Sequence, residues 1–213
     1  MFQQRRAYWR NLDNAAKMFS AASSPKDTRV FRFYCVLKEK IDGSVLKMAL
    51  DQTIQKYPVF LSVMRKGLFW HYLEKSDLRP VVREEYKEPC SHLYIRDKKE
   101  LLFEVTYYKN RINFEVFHVL TDGMGGINFL RELTYQYLRL VHPELAEKEG
   151  NKLSGDTSLS REDSFVRNYR SSKPSGFNKE KAYLIKEDKL PAGEFGVMHG
   201  RMPVSQLKKV AHG

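Results

Sequence analysis

The chain has 213 residues, of which 42% are hydrophobic and 13% aromatic, so it is long and apolar enough to bury a core. Lysine and arginine exceed aspartate and glutamate by 11 (37 against 26), and such a positive net charge suits an anionic partner. The cations are interspersed with acids, however, which is typical of an ordinary solvated surface. No apolar run approaches the ~20 residues of a membrane span and the amino terminus lacks the apolar core of a signal peptide, so we expect a soluble, cytoplasmic protein without a transmembrane segment.

The first part of the chain predicts a strand, a helix and a hairpin. Residues 30–38 are rich in β-branched and aromatic side chains, as buried strands are. A helix is predicted over 45–56, capped near Asp42 and stopped by Pro58. Its buried face would comprise Leu46, Leu50, Thr53, Ile54 and Tyr57. A hairpin follows, with strands over 59–64 and 68–73, and this order of elements predicts a mixed α/β layer.

A second hairpin is predicted over residues 101–108 and 111–120. It has a two-residue turn at Lys109-Asn110, where asparagine tolerates a positive φ. Such a turn brings six apolar side chains onto one face of the hairpin: Phe103, Val105, Tyr107, Ile112, Phe114 and Val116. If the alternation continues, His118 and Leu120 lie on the same face.

The remaining chain predicts a helix, a linker and the start of another domain. The helix spans 127–141, with its apolar side formed by Ile127, Leu130, Thr134, Tyr137, Leu138 and Val141. Residues 144–176 are dominated by serine, charge and glycine, and read as a crossover linker with a short helix after Ser160. A strand over 195–202 and a helix over 206–211, capped by Ser205, follow. Because this pattern is typical of a domain beginning, we expect the front part of a longer chain.

The segment from His118 to Gly123 is the strongest candidate for chemistry. A histidine at a strand end can reach a pocket while its backbone is held rigid, and neutral imidazole is suited to accept a proton near pH 7. Asp122 can brace the following turn through backbone N–H groups or pair with an arginine. Gly123 permits a tight backbone, including a left-handed conformation. Gly125 and Gly126 allow a close approach to the helix start.

Four segments carry a resemblance to a known superfamily. FHVLTDGMGG (117–126), with its HxxxDG motif, resembles the active-site motif of the acyltransferases related to chloramphenicol acetyltransferase, which include condensation domains. YWRNLDNAAKMFSA (8–21) is similar to the start of the bacterial alcohol O-acetyltransferase-like members. IDGSVLKMALDQTIQKYPVF (41–60) resembles their first helix, which leads into a strand. GRMPVSQLKKVAHG (200–213) resembles the start of their second half. Phe117 stands where condensation domains and chloramphenicol acetyltransferases commonly carry a second histidine, which favours the plant-type or alcohol acetyltransferase branch.

The resemblance implies a fold and a division of the chain. The fold is an α/β (α+β) chloramphenicol acetyltransferase-like lobe, a mixed sheet with helices packed on it. Residues 1–143 would form the amino-terminal lobe, 144–194 the crossover linker, and 195–213 the start of a truncated second lobe.

The resemblance also implies an activity. His118 would deprotonate an acceptor hydroxyl that attacks an acyl thioester, Asp122 would be architectural and paired with an arginine, and Gly123 and Gly126 would form the active-site turn. Acyl-CoA or an acyl carrier protein would be the donor and a small alcohol the acceptor, with no permanently bound cofactor and no covalent acyl-enzyme on Cys35 or Ser44.

Other interpretations remain open beside the acyltransferase. The protein could be a non-catalytic binding relative of the same fold, an inactive half-domain, or a basic nucleic-acid binder with a coincidental motif. No two of the six histidines share an i, i+4 spacing and neither Cys35 nor Cys90 has a CxxC partner, so we expect no metal site. His71 is expected to pack within its strand and His199 to lie near the crossover strand. The tyrosines at 107, 108, 135 and 137 are expected in the core.

Overall fold

The computed structural model describes residues 9–24, 27–68, 70–95, 98–146, 191, 194, 196 and 200–211. The chain divides into two compact units, 1–171 and 172–213. Most of the linker predicted over 144–194, its short helix after Ser160, and His199 lie outside the described residues.

The first unit is an α+β lobe with two sheets. In chain order, its elements are β1 (Trp9–Asn11), α1 (Asn14–Ala22), β2 (Val30–Val36), α2 (Gly43–Lys56), a 3-10 helix (Pro58–Leu61), β3 (Ser62–Lys66), β4 (His71–Lys75), β5 (Val82–Glu84), β6 (Phe103–Tyr108), β7 (Arg111–Phe117), α3 (Gly123–Val141) and α4 (Pro143–Ala146). The main sheet has the order β2-β7-β6-β5, in which only the β5–β6 pair is parallel, and the smaller sheet has the order β1-β4-β3. This architecture confirms the predicted mixed sheet with helices packed on it.

The hairpin of β6 and β7 has the predicted register. Tyr107 faces Ile112, Val105 faces Phe114, and Phe103 faces Val116 across the ladder. The turn differs in detail, because the positive φ (53°) falls on Lys109 rather than on Asn110. Asn110 instead donates from its side-chain amide to the Leu37 carbonyl at 2.6 Å, which ties the turn to the chain after β2.

The helix α2 carries the predicted buried face, and the hairpin after it is displaced. Asp42 caps α2 by accepting from the backbone N–H groups of Ser44 and Val45. The strand predicted from 59 is wrong in its first residues, because Pro58–Leu61 forms a 3-10 turn. Proline suits the first position of a helical turn, where its missing N–H costs nothing. β3 therefore begins at Ser62 and its partner β4 at His71.

The helix α3 starts four residues earlier than predicted, and its buried stripe is rotated. Ile127 and Leu138, assigned to the apolar side, are 39% and 36% exposed. The first turn of α3 packs on the sheet at Gly126, and the buried stripe that continues from it lies one position before the predicted one. The large buried side chains of α3 are Phe129, Leu130, Leu133, Gln136 and Tyr137.

The core between α2, α3 and the main sheet is an aromatic cluster. The Phe60 ring stacks on Phe129 at 4.3 Å between centroids, Phe114 stacks on Phe129 at 4.7 Å, and Phe103 meets Phe60 edge-on at 5.4 Å. Tyr137 is buried as expected, and its hydroxyl accepts the backbone N–H of Asp42. The expectation that Tyr108 is a core residue is wrong, because it is 43% exposed with Lys109 over its ring.

The second unit is described over few residues. Its helix α5 (Val204–Ala211) begins two residues before the predicted start, so Ser205 lies inside the first turn and does not cap it. The backbone N–H of Gln206 donates to the Pro203 carbonyl instead. Of the strand predicted over 195–202, the described residues 196 and 200–202 have no strand pairing. In the described part of the chain, no helix combines the length and the apolarity that a membrane crossing requires.

Candidate functional site

His118 directly follows β7 and is the residue at which the hydrogen-bonded ladder with β2 ends. β7 ends at Phe117, and the His118 backbone N–H still donates to the Arg29 carbonyl at 2.9 Å, which extends the ladder with β2 by one residue. The chain then turns, since the N–H of Leu120 bonds back to the Phe117 carbonyl. The alternation invoked for Leu120 is therefore wrong, although Leu120 is buried.

The imidazole of His118 is half-buried against two aromatic rings. The Phe19 ring, from α1, is stacked on it with 3.8 Å between centroids and 15° between planes. The Phe31 ring, from β2, meets it edge-on at 4.9 Å. Because Phe31 faces Val116 across the ladder, His118 lies on the apolar face of the sheet, as predicted. Within the described residues, no hydrogen bond engages either imidazole nitrogen.

Asp122 organises the start of α3. It is the N-cap residue, and its carboxylate accepts the N–H of Gly125 at 2.8 Å while its carbonyl accepts the N–H of Gly126 at 3.0 Å. This satisfies donors that a helix start leaves open. Of the two roles considered for Asp122, bracing by backbone N–H groups is present; among the described residues it forms no ion pair with an arginine.

The three glycines of the turn have different surroundings. A Cβ on Gly123 would meet nothing within 4 Å, and its φ lies outside the left-handed region, so the turn does not use the left-handed backbone that glycine permits there. A Cβ on Gly125 would lie 2.0 Å from the Thr121 hydroxyl. A Cβ on Gly126 would lie 3.0 and 3.1 Å from the ring atoms of Phe33 and Phe31. Gly126 therefore lets α3 approach Phe31, which contacts His118, and Phe33, whose ring meets Phe31 edge-on.

The helix α1 contributes a residue that the sequence reasoning missed, Phe19. Asp13 caps α1 by accepting the N–H of Ala16 at 2.7 Å. The Ser20 hydroxyl lies 2.9 Å from Nδ1 of His71, which joins α1 to β4 in the smaller sheet. His71 is thus a packing residue, as expected, with an added polar contact, and its ring meets Tyr94 edge-on. The only signal for Phe19 was its place in the segment 8–21 that carries the resemblance.

The opposite face of the main sheet holds a network of charges. Arg32 pairs with Glu115 at 2.8 Å and with Glu85, and Arg111 pairs with Glu85 at 2.7 Å. Burial lowers the pKa of Arg32, but its hydrogen bonds and charge partners outweigh that and raise it. For Glu85 the signs are reversed. Burial raises the pKa of its carboxyl group, but the contacts with Arg32 and Arg111 outweigh burial and lower it.

Cys90 borders this network without the properties of a nucleophile. Burial and the Glu115 carboxylate raise the pKa of its thiol, which favours the unreactive protonated form. The backbone N–H of Cys90 donates to the Glu115 carboxylate, so the residue has a structural role beside the charge network. Within the described residues, no group of three or more histidine, cysteine or acidic side chains is arranged to hold a metal ion.

Comparison with known proteins identifies the fold. No family model and no curated protein matches the chain. Among solved structures, the starter condensation domain of rhizomide synthetase RzmA is 15% identical with a TM-score of 0.52, and the match covers 64% of this chain and 39% of that one. The first condensation domain of the calcium-dependent antibiotic synthetase, in complex with a substrate analogue, is 13% identical with a TM-score of 0.50 over 64% of this chain and 39% of that one. The chain has the fold of a condensation-domain lobe.

A third match is a variant of the RzmA domain in complex with C8-CoA, 13% identical, with a TM-score of 0.52 over 62% of this chain and 36% of that one. The chain therefore spans less than two fifths of the length of these structures. Condensation domains belong to the superfamily that the HxxxDG segment resembles. At these identities the match establishes the architecture, and the choice of branch made from Phe117 stays a prediction.

Proposed function

We propose that the protein transfers an acyl group from a thioester to the hydroxyl of a small alcohol, with His118 as the general base. The observation that carries the proposal is the His118 imidazole, half-buried at a rigid strand end, with no described hydrogen-bond partner on its nitrogens. Its place in a condensation-domain fold supports acyl transfer as the reaction class.

The chemistry needs one proton acceptor near the acceptor hydroxyl. An imidazole nitrogen takes the hydroxyl proton as the oxygen attacks the thioester carbonyl. The C–S bond then breaks, and the imidazolium returns the proton to the departing thiolate. The products are an ester and a free thiol, and no group on the protein is acylated.

Asp122 and Gly126 serve this step indirectly. The Asp122 cap fixes where α3 begins, and Gly126 lets that first turn lie against Phe31, the ring beside His118. Together they determine the space in front of the imidazole. Both are positioning residues in this proposal. Gly123 has no such role, because a Cβ at that position would meet nothing within 4 Å.

Acyl-CoA is the proposed donor, and an acyl carrier protein is the second possibility. The fold match to a domain in complex with C8-CoA supports a coenzyme A thioester. The excess of 11 cations (37 against 26) would favour the approach of its phosphates. The alcohol acceptor rests on the resemblance of residues 8–21 and 41–60 to alcohol acetyltransferase-like proteins.

The test is thiol release by the complete polypeptide supplied with acetyl-CoA or C8-CoA and short alcohols, with the ester quantified separately. A positioned general base contributes about 10²–10⁴-fold, so His118→Ala should lose about that factor in kcat. His142→Ala is the matched control, because that histidine caps the end of α3 and, among the described residues, its ring nitrogens lie within ion-pair distance of Glu39 and Glu144. Loss of activity in both variants, or in neither, contradicts the role of His118.

Binding without turnover is the outcome that favours the non-catalytic relative. Calorimetry with C8-CoA on the wild-type polypeptide separates the two cases. Measurable binding with no ester formed from any donor and alcohol pair overturns the proposed reaction, and leaves a binding protein of the same fold.

A further inference from the structure

Catalytic imidazoles are commonly oriented by a hydrogen bond from one ring nitrogen to a carboxylate or carbonyl. His118 has no such bond with any described residue. Without an orienting contact, the side chain would rotate about two torsions and point its nitrogens in several directions. Among the described residues, the contacts that could hold the ring in one orientation are the aromatic rings of Phe19 and Phe31.

Phe19 provides the contact that the hydrogen bond would otherwise supply. The two rings are nearly parallel, 15° apart, with centroids separated by 3.8 Å. A stacked neighbour fixes the plane of the imidazole and covers a face of the ring rather than the edge, where both nitrogens lie. Phe31 meets the imidazole at 62° and 4.9 Å and so limits sliding within that plane.

The residue that stacks on His118 is itself held firmly. Phe19 lies on α1, which is capped by Asp13 and buries Ala16 in the core. The next residue, Ser20, is within hydrogen-bond distance of His71 on β4. The ring is therefore presented by a helix fixed to two other parts of the lobe, which suits a positioning role better than a loop would.

We propose that Phe19 is the positioning residue for His118, and that stacking replaces the usual orienting hydrogen bond. The inference rests on the proposed acyl transfer for its kinetic consequence, and on ring geometry alone for its structural one. The carrier of the effect is the aromatic plane, so an aliphatic side chain of similar size cannot replace it.

The experiment uses two variants of Phe19 and one control in the complete polypeptide. Phe19→Leu keeps apolar volume and loses the plane, Phe19→Tyr keeps the plane, and Phe60→Leu makes the same change in the core away from the imidazole. Stacking contributes energy equivalent to about 2- to 10-fold in rate. We expect Phe19→Leu to lose that factor in kcat with KM within about 2-fold, and the other two variants to retain kcat below their unfolding temperatures.

The second readout is independent of catalysis. In carbon-13 histidine-labelled protein, the ring current of Phe19 should shift the His118 ring protons upfield, and the signal is assigned by its loss in His118→Gln. We expect the shift to vanish in Phe19→Leu and persist in Phe19→Tyr, with the other histidine signals unchanged.

Each outcome decides the proposal. An unmoved His118 signal in Phe19→Leu overturns the stacking, and a moved signal with unchanged kcat overturns the positioning role. If the wild type forms no ester at all, the proposed function fails, and the histidine signal alone then decides whether Phe19 orients the ring.

Discussion

Gly126 gives the sharpest test of how α3 is seated beside His118. Replacing it with alanine places a Cβ 3.0 Å from a Phe33 ring atom and 3.1 Å from a Phe31 ring atom, closer than such contacts normally come. One or both rings must shift, or α3 must move outward. Overpacking of this kind costs about 1–3 kcal/mol.

The opposing term is helix propensity, and Gly123 provides the means to separate the two. Alanine is better than glycine in a helix by about 1 kcal/mol, so Gly126→Ala should lose only about 0–2 kcal/mol net. Gly123 begins the same helix, and a Cβ there meets nothing within 4 Å. Because the propensity gain appears in both variants, the difference between them isolates the contact term at about 1–3 kcal/mol.

Urea denaturation followed by circular dichroism measures that difference directly. We expect Gly123→Ala to be at least as stable as wild type and Gly126→Ala to unfold at lower urea with an unchanged slope. Equal stability of the two variants would show that α3 does not lie against Phe31 and Phe33 as described. A loss of acyl transfer in Gly126→Ala alone would link this packing to His118.

Three further predictions concern the caps and charges. Asp122→Ala should lower the unfolding free energy by about 1 kcal/mol and Asp122→Asn by much less, since asparagine caps equally well; equal losses in urea melts would favour a charge partner over capping. Arg32→Met leaves Glu115, which is 2% exposed, without its ion pair and should cost about 3–5 kcal/mol, whereas Arg111→Met leaves Glu85 still paired and should cost less; the reverse order of Tm values would be inconsistent with the network. The pKa of Glu85 is lowered in the folded state, so the contribution of this carboxylate to the free energy of unfolding is complete above its unfolded pKa near 4.3 and is lost as the pH falls through the folded pKa. Wild type should therefore lose more stability than Glu85→Gln between about pH 5 and pH 3. Parallel losses in the two proteins would exclude that linkage.

Local patterns predicted the elements whose information lies within a short stretch of sequence. The alternation on both sides of Lys109-Asn110 gave the register of β6 and β7, because a two-residue turn leaves one pairing that keeps the apolar residues together. The spacing of Leu46, Leu50 and Ile54 predicted the buried face of α2, because residues four apart lie on the same side of a helix.

Features that depend on distant parts of the chain were not accessible in this way. The buried stripe of α3 was displaced because Gly126 faces the sheet, and glycine carries no hydropathy signal for a face. The stacking of Phe19 on His118 joins residues 99 positions apart, and the periodicity of a nine-residue helix cannot name its partner. His118 and Asp122 could be selected from the sequence because the motif itself joins a strand end to a helix cap.

The most direct test of the account is the rate of thiol release from acyl-CoA and an alcohol, compared between the wild-type polypeptide and His118→Ala at equal folded concentration. The account predicts ester formation by the wild type and a loss of about 10²–10⁴-fold in the variant, with the circular dichroism spectrum and His142→Ala unchanged. Equal rates in wild type and His118→Ala would contradict the assignment of His118 as the base.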